Sequence, residues 1–225
     1  MIFEQINIEW LHHACLRITG KNQIIYTDPY KVINNYNDAD IILITHDHYD
    51  HLDKESITKL INEKTVIVAP KGCKDLLSKF KNSKIFVIPN ETKVVNGITI
   101  RTVPSYNLNK FNEHGEAFHP KSKGYLGYIF SLDKTEIYIA GDTDFIPEMK
   151  DFKVDIALLP VSGIYVMTPS EAVDASLVIK PKIAIPIHYG SGIGTKENAT
   201  EFKRLLENKL RVEVLDSVDN PVKKI

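Results

Sequence analysis

One short stretch limits what this chain can be: Thr45-His46-Asp47-His48-Tyr49-Asp50-His51. Four potential metal ligands (His46, His48, Asp50 and His51) fall within six residues, directly after the apolar run Ile41-Ile42-Leu43-Ile44. A short apolar run bounded by acidic residues reads as a buried strand. The ligands therefore stand where a strand leaves a sheet, a common place for a site carried on a rigid scaffold. Imidazole and carboxylate suit zinc and its neighbours, and a donor set without thiolate favours an open, catalytic site over a closed structural one. On extended backbone His46 and His48 point the same way, because side chains alternate with period two. Asp50 and His51 lie beyond the next bend. Two ligand pairs this close together suggest two adjacent metal ions. A polar loop rich in histidine by chance is the competing reading, and the strand context argues against it.

The remainder of the chain is consistent with one globular domain over residues 1–225. Its length suits one large domain or two small ones. Net charge is −1 with acids and bases interspersed, so no whole-molecule field points to nucleic acid or an anionic membrane. Met1 to Gln5 show no basic segment leading into an apolar core, and no apolar run approaches the ~20 residues that span a bilayer. A cytoplasmic protein is expected. Cys15 and Cys73 sit inside apolar patterns and read as core residues. Strands are expected at Ile6 to Trp10, Ala14 to Ile18 and Gln23 to Thr27, an antiparallel start. Helical spacing follows at Ile57, Leu60 and Ile61, then a strand at Thr65 to Ala69. A second helical stripe runs through Cys73, Leu76, Leu77 and Phe80, with a strand at Lys84 to Ile88. Asn96-Gly97 suits the type I′ turn of a hairpin ending at Val103. The second half repeats the recipe with a hairpin across Asp133-Lys134 and apolar strands at Asp155 to Leu159, Ile183 to Ile187 and Val212 to Leu215. Thr168-Pro169-Ser170-Glu171 spells a capping box with proline at the first helical position, and Thr195 can cap a further helix. Two mixed halves, about 1–103 and 104–225, packed sheet to sheet with helices outside, give a four-layer αββα sandwich of the α/β class.

The pattern His-x-His-x-Asp-His after an apolar strand resembles the signature of the metallo-β-lactamase-fold hydrolases, and that resemblance implies the same αββα architecture. His13-Ala14 and Asp28-Pro29 match places in the branch that includes ascorbate-6-phosphate lactonase-like enzymes. His13 is either a supporting residue or a loop histidine without a role, and His12 reads as the latter. Asp28 can accept a hydrogen bond from a ligand histidine and orient it. Gly141-Asp142-Thr143 stands where the family keeps its metal-bridging aspartate, so the resemblance makes Asp142 the bridging carboxylate. Pro186-Ile187-His188 matches the family's last ligand. The third histidine of the first metal is less certain. Many relatives place it a few residues after a Val-Pro-Ala, whereas Val103-Pro104-Ser105-Tyr106-Asn107 puts asparagine there, a weak neutral ligand for zinc. His119, in His119-Pro120-Lys121, is the preferred replacement, because some relatives with the asparagine carry such a His-Pro-Lys. His114 reads as a solvated loop residue.

The resemblance thus implies two divalent ions, zinc first with manganese or iron acceptable. One is held by His46, His48 and His119, the other by Asp50, His51 and His188, with Asp142 bridging. Such ions bring bound water towards neutral pKa and give a hydroxide nucleophile. Asp50, as the resemblance implies, would orient it and handle its proton. The expected activity is hydrolysis of a small phosphodiester, lactone or ester. No stripe of basic and aromatic residues argues for RNA, nothing suggests a secreted protein acting on β-lactams, and no membrane partner is implied. Two alternatives remain: a metal-binding or ligand-sensing module with little catalysis, and a redox di-iron protein. The latter usually carries Glu where His48 stands. Tyr125, Tyr128, Phe111 and Phe118 line a pocket mouth, form a contact in a homo-oligomer, or pack in the core.

Overall fold

The computed structural model describes residues 1–219. Two seven-stranded mixed sheets account for most of the regular structure, each within its own compact unit. Among the described residues, the first unit takes Met1–Val87 and residues 215–219, and the second takes Ile88–Val214. The expected division at 103 is therefore displaced: the Asn96-Gly97 hairpin belongs to the second sheet. The α/β class with two mixed sheets is as expected.

In the first unit the strands are β1 (Ile2–Phe3), β2 (Ile6–His12), β3 (Cys15–Thr19), β4 (Ile24–Thr27), β5 (Ala39–Leu43), β6 (Ile61–Pro70) and β7 (Ser83–Val87), neighbours in that order. Pairs up to β4 are antiparallel and those from β4 to β7 are parallel. Strand β5 pairs on both edges in parallel and buries all but one of its residues, which is why its sequence is a continuous apolar run and not an alternation. Helix α1 (Lys54–Leu60) starts at Asp53, whose carboxylate accepts from the Glu55 and Ser56 amides. It packs Ile57 and Leu60 into a core with Ile42, Ile67 and Leu77.

The stripe through Cys73, Leu76, Leu77 and Phe80 is not an α-helix. A 3-10 turn at Lys71–Cys73 runs on into further turns. The Ser78 hydroxyl donates to the Asp75 carbonyl at 2.7 Å, competing for a group that a helix would use. Cys73 and Leu77 are nonetheless fully buried, so the apolar spacing marked the buried face correctly. Cys15 is buried too, and burial pushes both thiols up, as expected of inert core cysteines.

The second unit repeats the plan with β8 (Thr92–Val95), β9 (Ile98–Pro104), β10 (Leu126–Leu132), β11 (Thr135–Ile139), β12 (Ile156–Pro160), β13 (Ile183–Ile187) and β14 (Arg211–Val212). Pairs from β8 to β11 are antiparallel, and those from β11 to β14 are parallel. Asn96 and Gly97 both take positive φ, as the type I′ turn requires. Helix α2 (Pro169–Ile179) has the expected capping box of Thr168 and Glu171, and α3 (Lys196–Leu205) begins after Thr195. Tyr125 and Tyr128 are core residues, whereas Phe111 is exposed. No described helix is long and apolar enough to cross a membrane.

Candidate metal centre

The first unit gathers its donors at the ends of β2, β4 and β5. Asp28 follows β4 with φ +39° and is fully buried. Its Oδ1 accepts from the Thr45 amide at 2.7 Å, and its Oδ2 accepts from the Thr45 hydroxyl at 2.8 Å. The same Oδ2 lies 2.8 Å from His51 Nδ1. A carboxylate only accepts, so neutral His51 carries its proton on Nδ1 and its lone pair on Nε2. Thr45 spends its one proton on Asp28, so its oxygen, 2.9 Å from His46 Nδ1, accepts from that ring. One buried aspartate thus fixes the tautomer of two histidines, one directly and one through Thr45. The His46 ring lies 4.1 Å from that of His51 and 4.5 Å from that of His48.

His13 enters this cluster more closely than a supporting role demands. Its Nε2 lies 3.2 Å from Asp50 Oδ2, and His51 Nε2 lies 3.9 Å from the same oxygen. His13, Asp50 and His51 each offer a ligand atom within 4.8 Å of the other two. A tight turn after β2 holds His13 at φ +55°, with its carbonyl accepting from the Trp10 indole at 2.8 Å. His12 stays outside the cluster, its ring 5.8 Å from that of Tyr30.

The second unit assembles its donors from separated stretches. Gly141 takes φ +64°, a left-handed turn that only glycine adopts freely, and delivers Asp142 just beyond β11. The Asp142 carbonyl accepts from the Ser105 hydroxyl at 2.8 Å. His188 ends β13 with φ +61°, a strained conformation for a side-chain-bearing residue. Its Nδ1 meets the Ser162 hydroxyl at 3.0 Å, and its Nε2 lies 3.0 Å from Asp142 Oδ2. His119 Nε2 lies 3.4 Å from the same oxygen. His114 lies on the exposed part of the loop beside Glu113. Asn107 is not arranged as a replacement for a histidine ligand. Its carbonyl oxygen accepts from the His119 amide at 2.8 Å and stands 3.0 Å from His119 Nδ1.

Residues 105–125, which carry Asn107 and His119, are tied down at a distance from the donors. The Lys110 ammonium reaches Glu171 at 2.9 Å, joining this segment to the start of α2. Burial raises the Glu171 carboxyl, but hydrogen bonds from the Thr168 amide, Asn109, Lys110 and the Thr168 hydroxyl outweigh it and hold the group at about 2. Lys121 pairs with Glu148 at 2.9 Å and lies over the Tyr106 ring. Glu148 is likewise held below its ordinary value, against burial, by Lys121 foremost among the side chains.

These residues fit a divalent cation. Their donors are imidazole and carboxylate, and Nδ1 of His46, His51, His119 and His188 each meets an oxygen partner. In the second unit, His119 presents its Nε2 lone pair to a carboxylate oxygen, and His188 Nε2 converges on the same atom. Acceptor facing acceptor is unfavourable alone and is relieved by a shared cation. Three residues missed by sequence reasoning belong to this support: Thr45, Ser162 and Ser105. Short hydroxyl residues are too common at strand ends to signal such a role.

Two mixed seven-stranded sheets with His and Asp donors at strand ends define a metallo-β-lactamase-type fold. Residues 7–188 match the beta-lactamase superfamily domain, and the chain belongs to that family. It is 31% identical over 225 residues to a UPF0173 metal-dependent hydrolase of Pyrococcus horikoshii, covering 93% of this chain and 96% of the relative. A protein of Parabacteroides distasonis assigned as a metal-dependent hydrolase superposes with a TM-score of 0.80 at 35% identity, covering 94% of this chain and 93% of the other. The diiron β-hydroxylase CmlA of Streptomyces venezuelae shares the fold alone. Its TM-score is 0.74 at 14% identity, over 96% of this chain and 54% of that one.

Proposed function

We propose that this chain is a metal-dependent hydrolase with a dinuclear centre, acting on a small phosphodiester, lactone or ester. One observation carries the reading. In each unit, histidines anchored at Nδ1 turn Nε2 towards an aspartate oxygen, the arrangement of imidazoles that hold a cation. In this reading, by the resemblance, His46, His48 and His119 would be ligands of one ion, zinc in the first instance, and Asp50, His51 and His188 ligands of the other, with Asp142 as the shared carboxylate. His13 stands beside Asp50. Bound there, divalent ions supply Lewis acidity and lower the pKa of water towards neutrality. The protein's own share is to hold the imidazoles in one tautomer, to take up a proton at Asp50, and to keep the donors buried. The metal-dependent hydrolase relatives support the class, and the small-molecule substrate rests on the sequence.

Metal analysis of protein purified without added metal, followed by assay against an activated phosphodiester and panels of lactones and esters, tests this. Two ions per chain with hydrolysis of one class is the expected result. Bound metal without hydrolysis of any of them would favour a ligand-sensing module instead.

A further inference from the structure

Asp144 is 2% exposed and ringed by donors from residues 107–110. Its Oδ2 accepts from the Leu108 amide at 2.6 Å and the Asn109 amide at 2.9 Å. Its Oδ1 accepts from Asn107 Nδ2 at 3.2 Å and lies 3.5 Å from the Lys110 ammonium. Its own amide donates to the Tyr106 carbonyl at 3.0 Å. The second hydrogen of the Asn107 amide goes to the Tyr165 carbonyl at 2.9 Å.

We infer that Asp144 is a positioning residue that sets the tautomer of His119 through the Asn107 amide. The chemistry runs one way. Asp144 and the Tyr165 carbonyl both accept, so the amide must turn its NH2 to them. Its oxygen then faces His119, where it accepts from the backbone amide and leaves His119 Nδ1 no role but donor. A neutral imidazole with its proton on Nδ1 has its lone pair on Nε2, the atom 3.4 Å from Asp142. Every polar valence of Asn107 is used, so the amide cannot flip without setting like against like at both ends. Asparagine at 107 thereby gains a function that requires an acidic residue at 144. Lys110, shared between Asp144 and Glu171, compensates the charge that Asp144 brings into the interior.

The inference rests on the reading of His119 as a ligand, and the test keeps the two apart. Nitrogen-15 spectra of the full-length chain's histidines, recorded in chelator, report the His119 tautomer without metal. The expected result is Nδ1–H in the unaltered chain and a shift towards Nε2–H in Asp144→Asn, whose amide can offer NH2 to Asn107. Zinc titration of the same variant should show one site weakened ~10–100-fold, the usual cost of losing such a partner. His119 staying Nδ1–H in folded Asp144→Asn overturns the inference. Should that variant not fold, Asn107→Ala must produce the same shift, and an unchanged tautomer there overturns it equally. In a separate arm, His119→Ala with zinc stoichiometry unchanged refutes the ligand reading while leaving the tautomer result standing.

Discussion

In each unit the chain lays down four antiparallel strands and then adds three in parallel, in sequence order. The polar residues fall at matching points of that plan. The connection between second and third strands carries His13 in the first unit and His119 in the second. The end of the fourth strand carries Asp28 in one and Asp142 in the other. Beyond that the units diverge. The first places four donors in the single loop after β5, whereas the second has only Ser162 after its fifth strand and waits until the end of the sixth for His188. The two aspartates differ as well. Asp28 faces the Nδ1 side of a histidine and fixes its tautomer, while Asp142 faces the Nε2 side of two. One scaffold thus places a carboxylate at the same strand end for opposite purposes. The second-to-third connection also differs in length, a tight turn at His13 against residues 105–125. The longer one needs Ser105, Asp144 and Lys110 to hold it.

Removing one donor from each unit breaks the comparison most severely. His48→Ala and Asp142→Ala should each lower hydrolysis by at least about 10³-fold, roughly 4 kcal/mol of transition-state stabilisation, while unfolding stays cooperative. Full turnover in either variant with unchanged metal content would remove that residue from the centre.

A smaller effect separates the supporting groups. Asp28 fixes two histidines and Ser162 meets one, so Asp28→Asn should weaken metal binding nearer ~100-fold and Ser162→Ala nearer ~10-fold. Competition against a chelator of known affinity measures both, and equal losses would show that the Thr45 link to His46 carries no weight.

The first unit's donors were legible because they are contiguous and follow a strand whose apolar run is unmistakable. Asp142 and His188 were legible only because Gly141-Asp142-Thr143 and Pro186-Ile187-His188 resemble motifs of the family, since a polar residue at a strand exit is unremarkable alone. His119 was preferred over Asn107 only through the His-Pro-Lys resemblance, because residues 105–125 have no periodicity and the role of each depends on which way one amide faces. Asp144 was invisible because two of its partners are backbone amides and the others, Asn107 and Lys110, lie more than thirty residues away in an aperiodic stretch. The 96–97 hairpin shows a different limit. Asn-Gly announced its turn and the flanking residues its strands, but local pattern does not say which sheet a hairpin joins. The stripe at Cys73 to Phe80 shows that apolar spacing reports burial more faithfully than hydrogen-bond pattern.

The smallest predicted effect concerns how the second unit's long connection is anchored. Glu171 closes the capping box of α2 and receives Lys110 and Asn109, and these contacts hold its carboxyl at about 2, below the ordinary 4.5. A carboxyl depressed in the folded state stabilises the fold fully above its unfolded value. That contribution is lost as pH falls through the folded one, here between about 4.5 and 2. Glu171→Gln keeps the shape but gives up the charge, so it should cost on the order of 1 kcal/mol at neutral pH, the size of a cap. Because Glu171 is partly solvated, the ion pair with Lys110 adds little to that. Urea unfolding of both proteins in chelator, at pH 7 and again near pH 3, should show the gap narrowing at the lower pH. A gap that stays constant would mean that the charge of Glu171 contributes nothing to the difference, and that the pairing with Lys110 adds no stability.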